Sequence, residues 1–312
     1  MSDGVLDPKS ASVGFAASCD EVTDVLLRGS GMEQWLVTRT TRESQRVLAS
    51  AGSAFVFNRR STHAFDESLC ARIAGGPRSE SSVPESSVYG TAPMALRHGI
   101  AAYVGAVIFD ADGSVFGTLA GIDTRRHPPV TDGLDRQVHL HAALLAARLA
   151  EARSSGPVVL TEVDPVTGFA SAASWSEVLA VVERQCQAFG DDGAVVAVRV
   201  AGVDDLRVRE GRMLADEAVR ELAYAIRTTV PGVAGHGLGD AFVIAVRNER
   251  VDVARLRQVL TDVALSAGLV VDVEAAYRGW SEAGGLGAAE ARAWARLSRM
   301  PRGRVRRLAS AR

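Results

Sequence analysis

Lysine is all but missing: Lys9 is the only one in 312 residues, and arginine supplies nearly all of the 35 basic side chains. Any phosphate grip beyond the first residues has to be built from guanidinium forks, which also bind phosphate oxygens well. Cysteine is scarce, and Cys19, Cys70 and Cys186 form an odd set without paired spacing. They suggest neither a disulfide framework nor a zinc site, and they fit a reducing compartment. No apolar run approaches the roughly 20 residues that cross a bilayer. The N-terminus also lacks the basic-then-apolar pattern of a signal peptide, so the expectation is a cytoplasmic chain without a membrane segment. An excess of charge is absent as well: 35 basic against 37 acidic residues leave a formal charge of -2, which argues against general electrostatic nucleic-acid binding. Arg302, Arg304, Arg306 and Arg307 are a local exception and read as a solvated tail. No metal or cofactor is expected.

The chain does have length and apolar content. Its 312 residues, 47% apolar, suit two domains at about 100 to 200 residues each. In the first half, Trp35 to Arg39 reads as an early strand. Ala102 to Ile108 and Val115 to Asp123 are apolar strands flanking the turn Asp110-Ala111-Asp112-Gly113, a hairpin signal. Ser79 to Ser87 reads as a surface loop, with Pro77 before it and Pro84 inside. From Asp132 to Arg153, the residues Leu134, Val138, His141, Leu145 and Leu149 fall at three- and four-residue spacings, an apolar stripe on one helix face. His139 and His141 point to different faces of that helix and make a poor metal pair. Ser154-Ser155-Gly156-Pro157 breaks it. Further on, helices are expected over Trp175 to Phe189, Ala215 to Arg227, Val251 to Ala267 and Ala288 to Leu297. Strands are expected over Ala194 to Val200 and Leu269 to Tyr277, with a hairpin over Gly235 to Val246. The predicted class is α+β.

The first half, from about Gly14 to Val130, resembles a GAF domain. The specific pieces are the hairpin and its ending Gly117-Thr118-Leu119-Ala120-Gly121-Ile122-Asp123, and Phe65 to Cys70 is similar to the family's short helix near the ligand pocket. The resemblance implies a pocket between sheet and helices for a small molecule such as a cyclic nucleotide, haem or a bilin, or else no ligand and dimerisation. Trp35, Phe65, Cys70, Tyr103 and Phe116 are the candidate pocket residues. His63 and His98 are the only candidate haem ligands in this half, and Cys70 has no Cys-His pairing of the bilin type. Each reads more simply as an ordinary packed or surface residue.

From about Asp164 onward the chain resembles the GGDEF (diguanylate cyclase) family. Leu238-Gly239-Asp240-Ala241-Phe242 is similar to its signature turn, with alanine at the fourth position. Asp164-Pro165-Val166-Thr167-Gly168-Phe169 looks like the family's opening motif, and Gly211 to Asp216 like its Gly-His-x-x-Gly-Asp segment. The resemblance implies two GTP molecules joined into cyclic di-GMP with Mg²⁺ or Mn²⁺. That chemistry needs carboxylates for the ion and neutralisation of charge developing on phosphate.

The family's first metal-binding Asp falls on Arg199, its phosphate-contacting lysine on Asp204, its guanine-reading asparagine on Arg207 and a C-terminal lysine on Met300. Val208 stands where Asp is usual, and Thr229 and Gly232 replace the inhibitory-site Arg and Asp. Asp240, Gly239 and Asp216 are what remains of the nucleotide site. A like-signed charge about 4 Å from a cation, at an effective dielectric of about 20, costs roughly 4 kcal/mol per unit charge. Each survivor also has a plain reading, as a hairpin turn for Gly239 and Asp240 and a solvated carboxylate for Asp216.

The expected architecture is an α+β chain of two domains: a GAF-type antiparallel sheet with helices over residues 1–131 and a GGDEF-type, nucleotide-cyclase palm-like α/β sandwich over 157–312, joined by a helix and linker over 132–156. The expected function is that of a cytoplasmic bacterial signalling protein. In it, a GAF sensor for a small molecule or nucleotide is coupled to a catalytically inactive GGDEF-like module that binds a ligand or a protein partner in cyclic di-GMP signalling. Pairing of the connecting helix with its copy in a homodimer and packing on its own sheet stand equally open. The alternatives are a diguanylate cyclase with residual activity and a ligand-free dimeric scaffold. Neither membrane nor nucleic acid is an expected partner.

Overall fold

The computed structural model describes residues 8–53, 57–73, 79–80, 82–126, 132–154, 162–236, 241–248 and 250–299. The chain divides into two compact units, Met1–Gly156 with Gln187–Gly190, and Pro157–Cys186 with Asp191–Arg312. Both are α+β with antiparallel sheets.

In the first unit a long helix α1 (Pro8–Ser30) precedes strands β1 (Gln34–Thr40), β2 (Ser44–Gly52), β3 (Thr62–Ala64) and β4 (Ser79–Glu80). A short helix α2 (Pro93–His98), the hairpin β5 (Ala102–Phe109) and β6 (Val115–Asp123), and helix α3 (Asp132–Ser154) follow. The sheet order is β3-β2-β1-β6-β5-β4. Its hairpin turn closes as the Asp/Gly signal requires: Asp110 N donates to Ser114 O at 2.8 Å, and Gly113 takes φ 82°. Helices α1 and α3 cover one face of the sheet. On the other, Leu36, Val47, Tyr103, Ala120 and Ile122 form a core with Tyr89 and Met94. Gly121 lies flat against the Trp35 indole, where a Cβ would come within 2.8 Å of the ring.

Several expectations change here. Residues 65–69 are turn and bend, and a single 3-10 turn begins only at the end of the expected helix, over Cys70–Arg72. The expected loop from Ser79 contributes β4 to the sheet edge and a 3-10 turn at Val83–Glu85. Helix α3 belongs to the first unit, burying Val138, Ala142, Leu145, Leu149 and Ala152 while leaving Leu140 and Leu144 on its outer side. Its last turn is tied to the hairpin by an ion pair from Arg153 to Asp110, and the Arg153 guanidinium lies over the Phe116 ring.

In the second unit the order is α4 (Trp175–Phe189), β7 (Gly193–Ala201), α5 (Val203–Glu210), α6 (Arg212–Thr229), β8 (Val233–His236), β9 (Ala241–Arg247), α7 (Val253–Ser266), β10 (Val270–Arg278) and α8 (Gly285–Arg299). The sheet runs β10-β7-β9-β8. Strand β7 is apolar on both faces because both are covered. Val196, Val198 and Val200 pack with α6 and α7, whereas Val195 and Ala197 pack with α4 and α8. The short α5 lacks the sustained apolar stripe that marks the other helices.

Gly121→Val forces a branched side chain onto Trp35, and overpacking of a filled core typically costs about 1–3 kcal/mol. Urea denaturation should register that loss, and wild-type stability in the variant would refute the close approach.

Candidate functional site

The positions the sequence aligns with nucleotide chemistry converge on one rung of the second sheet. Asp272 of β10, Arg199 of β7 and Ala241 of β9 are consecutive cross-strand partners. Cross-strand partners project to the same face, here the one covered by α4 and α8. Arg199 Nη2 donates to Asp272 Oδ2 at 2.5 Å, with the two side chains 27% and 22% exposed. Ala241 is buried beside them. The centre of the rung is therefore a guanidinium already bound to a carboxylate. This donor set does not fit a divalent cation, which needs several convergent oxygens and no fixed positive charge among them. Among the described residues no group of three or more His, Cys, Asp or Glu is placed to hold a metal. Gly239, Asp240 and Met300 lie outside the described residues.

The flanking helices repeat the pattern. Arg207 donates to Asp204 at 2.6 Å within α5, and Arg212 meets Asp216 at 3.3 Å across one turn of α6. Both pairs are exposed enough that each contributes little to stability, but Arg199, Asp204, Arg207 and Asp216 each have an opposite charge from the protein itself. Val208 is 90% exposed. Asp272, absent from the sequence-derived site, is found only through the β7–β10 register. A strand whose one ionisable residue is Arg199 and a strand carrying Asp272, Glu274 and Arg278 do not announce which of these face one another.

The opening motif folds as a structural lock. Asp164 Oδ1 accepts from Thr167 N and Thr167 Oγ1, both at 2.8 Å, and from Val166 N at 3.2 Å. Gly168 turns at φ 68°, placing Phe169 in the core edge-on to Phe242. Arg227 of α6 donates to Thr167 O at 2.8 Å and stacks on Phe169. Its side chains are spent on holding the loop.

In the first unit a cavity of about 20 Å³ lies on the sheet face away from α1 and α3, lined by Thr38, Gln45, His63, Cys70, Tyr103 and apolar neighbours. Room for one water begins near 10–15 Å³, so the space is water-sized. Of the five candidate pocket residues, Cys70 and Tyr103 line it. Trp35 and Phe116 lie on the opposite face: Trp35 Nε1 donates to Ser30 Oγ at 2.8 Å, and Phe116 packs edge-on against Phe15 of α1. The strand register explains Phe116, because pairing steps from Ile108↔Gly117 to Phe109↔Val115 and leaves it as the extra residue of a bulge. Phe65 is half-buried in the turn after β3 and does not line the cavity.

The cavity's polar groups are joined to one another. Thr38 and Thr118 share a hydroxyl hydrogen bond at 2.8 Å, and Gln45 Nε2 donates to Thr38 Oγ1 at 2.9 Å. Burial pushes the Cys70 thiol and the Tyr103 phenol up, and Tyr89 to about 12. Burial also holds His63 below its ordinary value, so it is neutral at pH 7. His63 and His98 each sit edge-on to Phe57. On α3, His141 Nδ1 shares a hydrogen with Gln137 O and His139 lies by Asp135.

No family model matches the chain, and no curated protein matches it. Solved structures similar to it include both GGDEF and GAF domains. One is the GGDEF domain of DgcB from Caulobacter crescentus in complex with c-di-GMP: 17% identity over 44% of this chain and 88% of that one, TM-score 0.37. Another is the blue-light absorbing form of the PixJ GAF-domain from Thermosynechococcus elongatus: 12% identity, 44% and 88% coverage, TM-score 0.37. A third is the GAF domain region of a putative membrane protein from Geobacter sulfurreducens PCA: 12% identity, 45% and 95% coverage, TM-score 0.37.

Removing either member of the central pair leaves a half-buried charge behind. Arg199→Met and Asp272→Asn should each destabilise by about 1–3 kcal/mol, and the double variant by about 1 kcal/mol less than their sum. Strictly additive losses in a urea-denaturation cycle would show that the two groups do not interact.

Proposed function

We propose that the chain is a signalling regulator whose GGDEF-like unit has lost cyclase chemistry and serves as a binding or interaction module under the influence of a GAF-like sensor unit. The observation that carries this reading is Arg199, whose guanidinium is paired with Asp272 on the rung where the resemblance calls for a metal carboxylate. Phosphoryl transfer relies on positioning and on cations that neutralise the developing charge. Here the fixed positive group is engaged by the protein, and the neighbouring position, Ala241, offers no donor. The internal pairing of Asp204 with Arg207 and of Arg212 with Asp216 supports the same reading.

A second reading, a scaffold in which the GAF-like unit takes no ligand, is favoured by the water-sized cavity and its self-satisfied polar groups. Thermal-shift measurements with GTP, cyclic di-GMP, cyclic AMP and cyclic GMP separate the two, since a ligand that binds the folded state raises the midpoint. No rise with any of them favours the scaffold.

In either reading the chain pairs with its own copy through the outer side of α3, where Leu140 and Leu144 are 69% and 47% exposed one turn apart. Leu140→Glu should convert a dimer to a monomer in light-scattering chromatography; a wild-type that runs as a monomer would rule the contact out.

Prolonged incubation with GTP and Mg²⁺ or Mn²⁺ should yield no cyclic di-GMP above a blank by mass spectrometry. Steady turnover would reject the loss of cyclase chemistry.

A further inference from the structure

The other end of the second sheet holds a cleft that the nucleotide resemblance does not use. Strand β7 runs from Gly193 to Ala201, and the six-residue step from Gly193 to Arg199 separates this end from the Arg199 rung by about 20 Å at the rise of a strand. The cleft has a volume of 560 Å³ and is walled by Asp192, Asn248, Arg250, Tyr277, Arg278 and the glycines beside them. Sites for small molecules commonly span about 300–1,000 Å³.

Its polar groups are unevenly satisfied. Asp192 is occupied, accepting from Trp280 N at 2.8 Å through Oδ1. The neighbouring Asp191 and Arg247 form a pair at 3.0 Å. Arg250, by contrast, is exposed and makes no hydrogen bond or ion pair among the described residues. Arg278 is 3% exposed; its Nη2 meets Glu183 at 2.6 Å, whereas Nε and Nη1 have no hydrogen-bond partner among the described residues. A buried guanidinium with two unsatisfied nitrogens is rare and costly. Asn248 takes φ 59° and its N–H donates to Asp192 O at 2.8 Å, and its amide side chain makes no hydrogen bond among the described residues. Tyr277, 45% exposed, supplies an aromatic wall while its hydroxyl donates to Val251 O.

We propose that this cleft binds a small organic anion, with Arg250 and the Asn248 amide holding its carboxylate or phosphate oxygens, Arg278 contributing positive potential from the wall and the Tyr277 ring covering the rest. Guanidinium and amide donors around a concave, partly aromatic wall match planar oxyanions. The carboxylates beside the cleft are each engaged: Asp192 accepts from Trp280 N, Glu282 accepts from Gly279 N at 3.1 Å and Glu183 pairs with Arg278. Nothing in this proposal depends on the state of the Arg199 rung.

The test is titration of the full chain with inorganic phosphate and, separately, with succinate, each against chloride at equal ionic strength, followed by calorimetry and thermal shift. Wild-type protein should bind at least one of them. Phosphate alone indicates a phosphorylated ligand, succinate alone a carboxylate, and both the shared oxyanion chemistry. Arg250→Ala should weaken binding at least 10-fold. Gly279→Leu should do the same by filling the cleft, since a Cβ at that position meets no atom within 4 Å and the fold has room for it. Both variants retain wild-type circular dichroism, and loss of binding in either supports the site. Absence of binding of both anions to wild type, or unchanged affinity in both variants, overturns it.

Discussion

The ion pair at the end of β7 is the interaction around which that end of the second unit's sheet is organised. A divalent ion and a guanidinium suit the same kind of place, a partly covered spot beside a carboxylate, and Arg199 occupies it here. With the side chains about a quarter exposed, the pair is screened less than a surface bridge, and opposite charges at hydrogen-bond distance gain several kcal/mol of gross attraction even at an effective dielectric of about 20. Desolvation takes back much of that. What survives is specificity: Asp272 has a partner and no vacancy for a metal.

The position of that rung follows from how the sheet is covered. Both faces of β7 are sealed for most of its length, by α6 and α7 on one side and by α4 and α8 on the other. Polar side chains can emerge only at the two ends of the strand, and there the ionisable residues collect: Arg199 and Asp272 at one end, Arg247, Asp191, Arg278 and Glu183 at the other. The buried central strand leaves its own polar contacts to its ends, whereas on the edge strand β10 Glu274 meets Arg257 of α7 at 3.5 Å in mid-sheet.

Long, strongly periodic elements were legible in the sequence. The span of α4 coincides with the expected Trp175 to Phe189, and β5, β6, β7 and α3 differ from expectation by a residue or so. Four features were missed, each for its own reason. Helix α1 was overlooked although Asp7-Pro8, an acid before a first-position proline, signals its start. The Phe116 bulge inverts the alternation that would have assigned its face. The turn at 65–69, where the resemblance implies a helix, is closed by Ser68 and Phe65 hydrogen bonding within it. Asp272 required the strand register, which a single sequence does not fix.

The first unit is constrained differently, by neutrality. None of the described residues lining its cavity is charged, because His63 is held in its neutral form by burial. A phosphodiester entering there would exchange water for threonine, glutamine, thiol and phenol, with no guanidinium to meet its charge, and burying an unpaired ion is strongly unfavourable. It would also have to break the hydrogen bonds linking Thr38, Gln45 and Thr118, each of which is already made. An uncharged molecule with a single polar group could join that network at one point and displace only apolar contacts, such as those of Met94, a side chain that adapts its shape readily. The chemistry of the walls thus sets the two units apart: one is organised around fixed, paired charges at the ends of a sheet, and the other around a small uncharged interior whose polar groups answer one another.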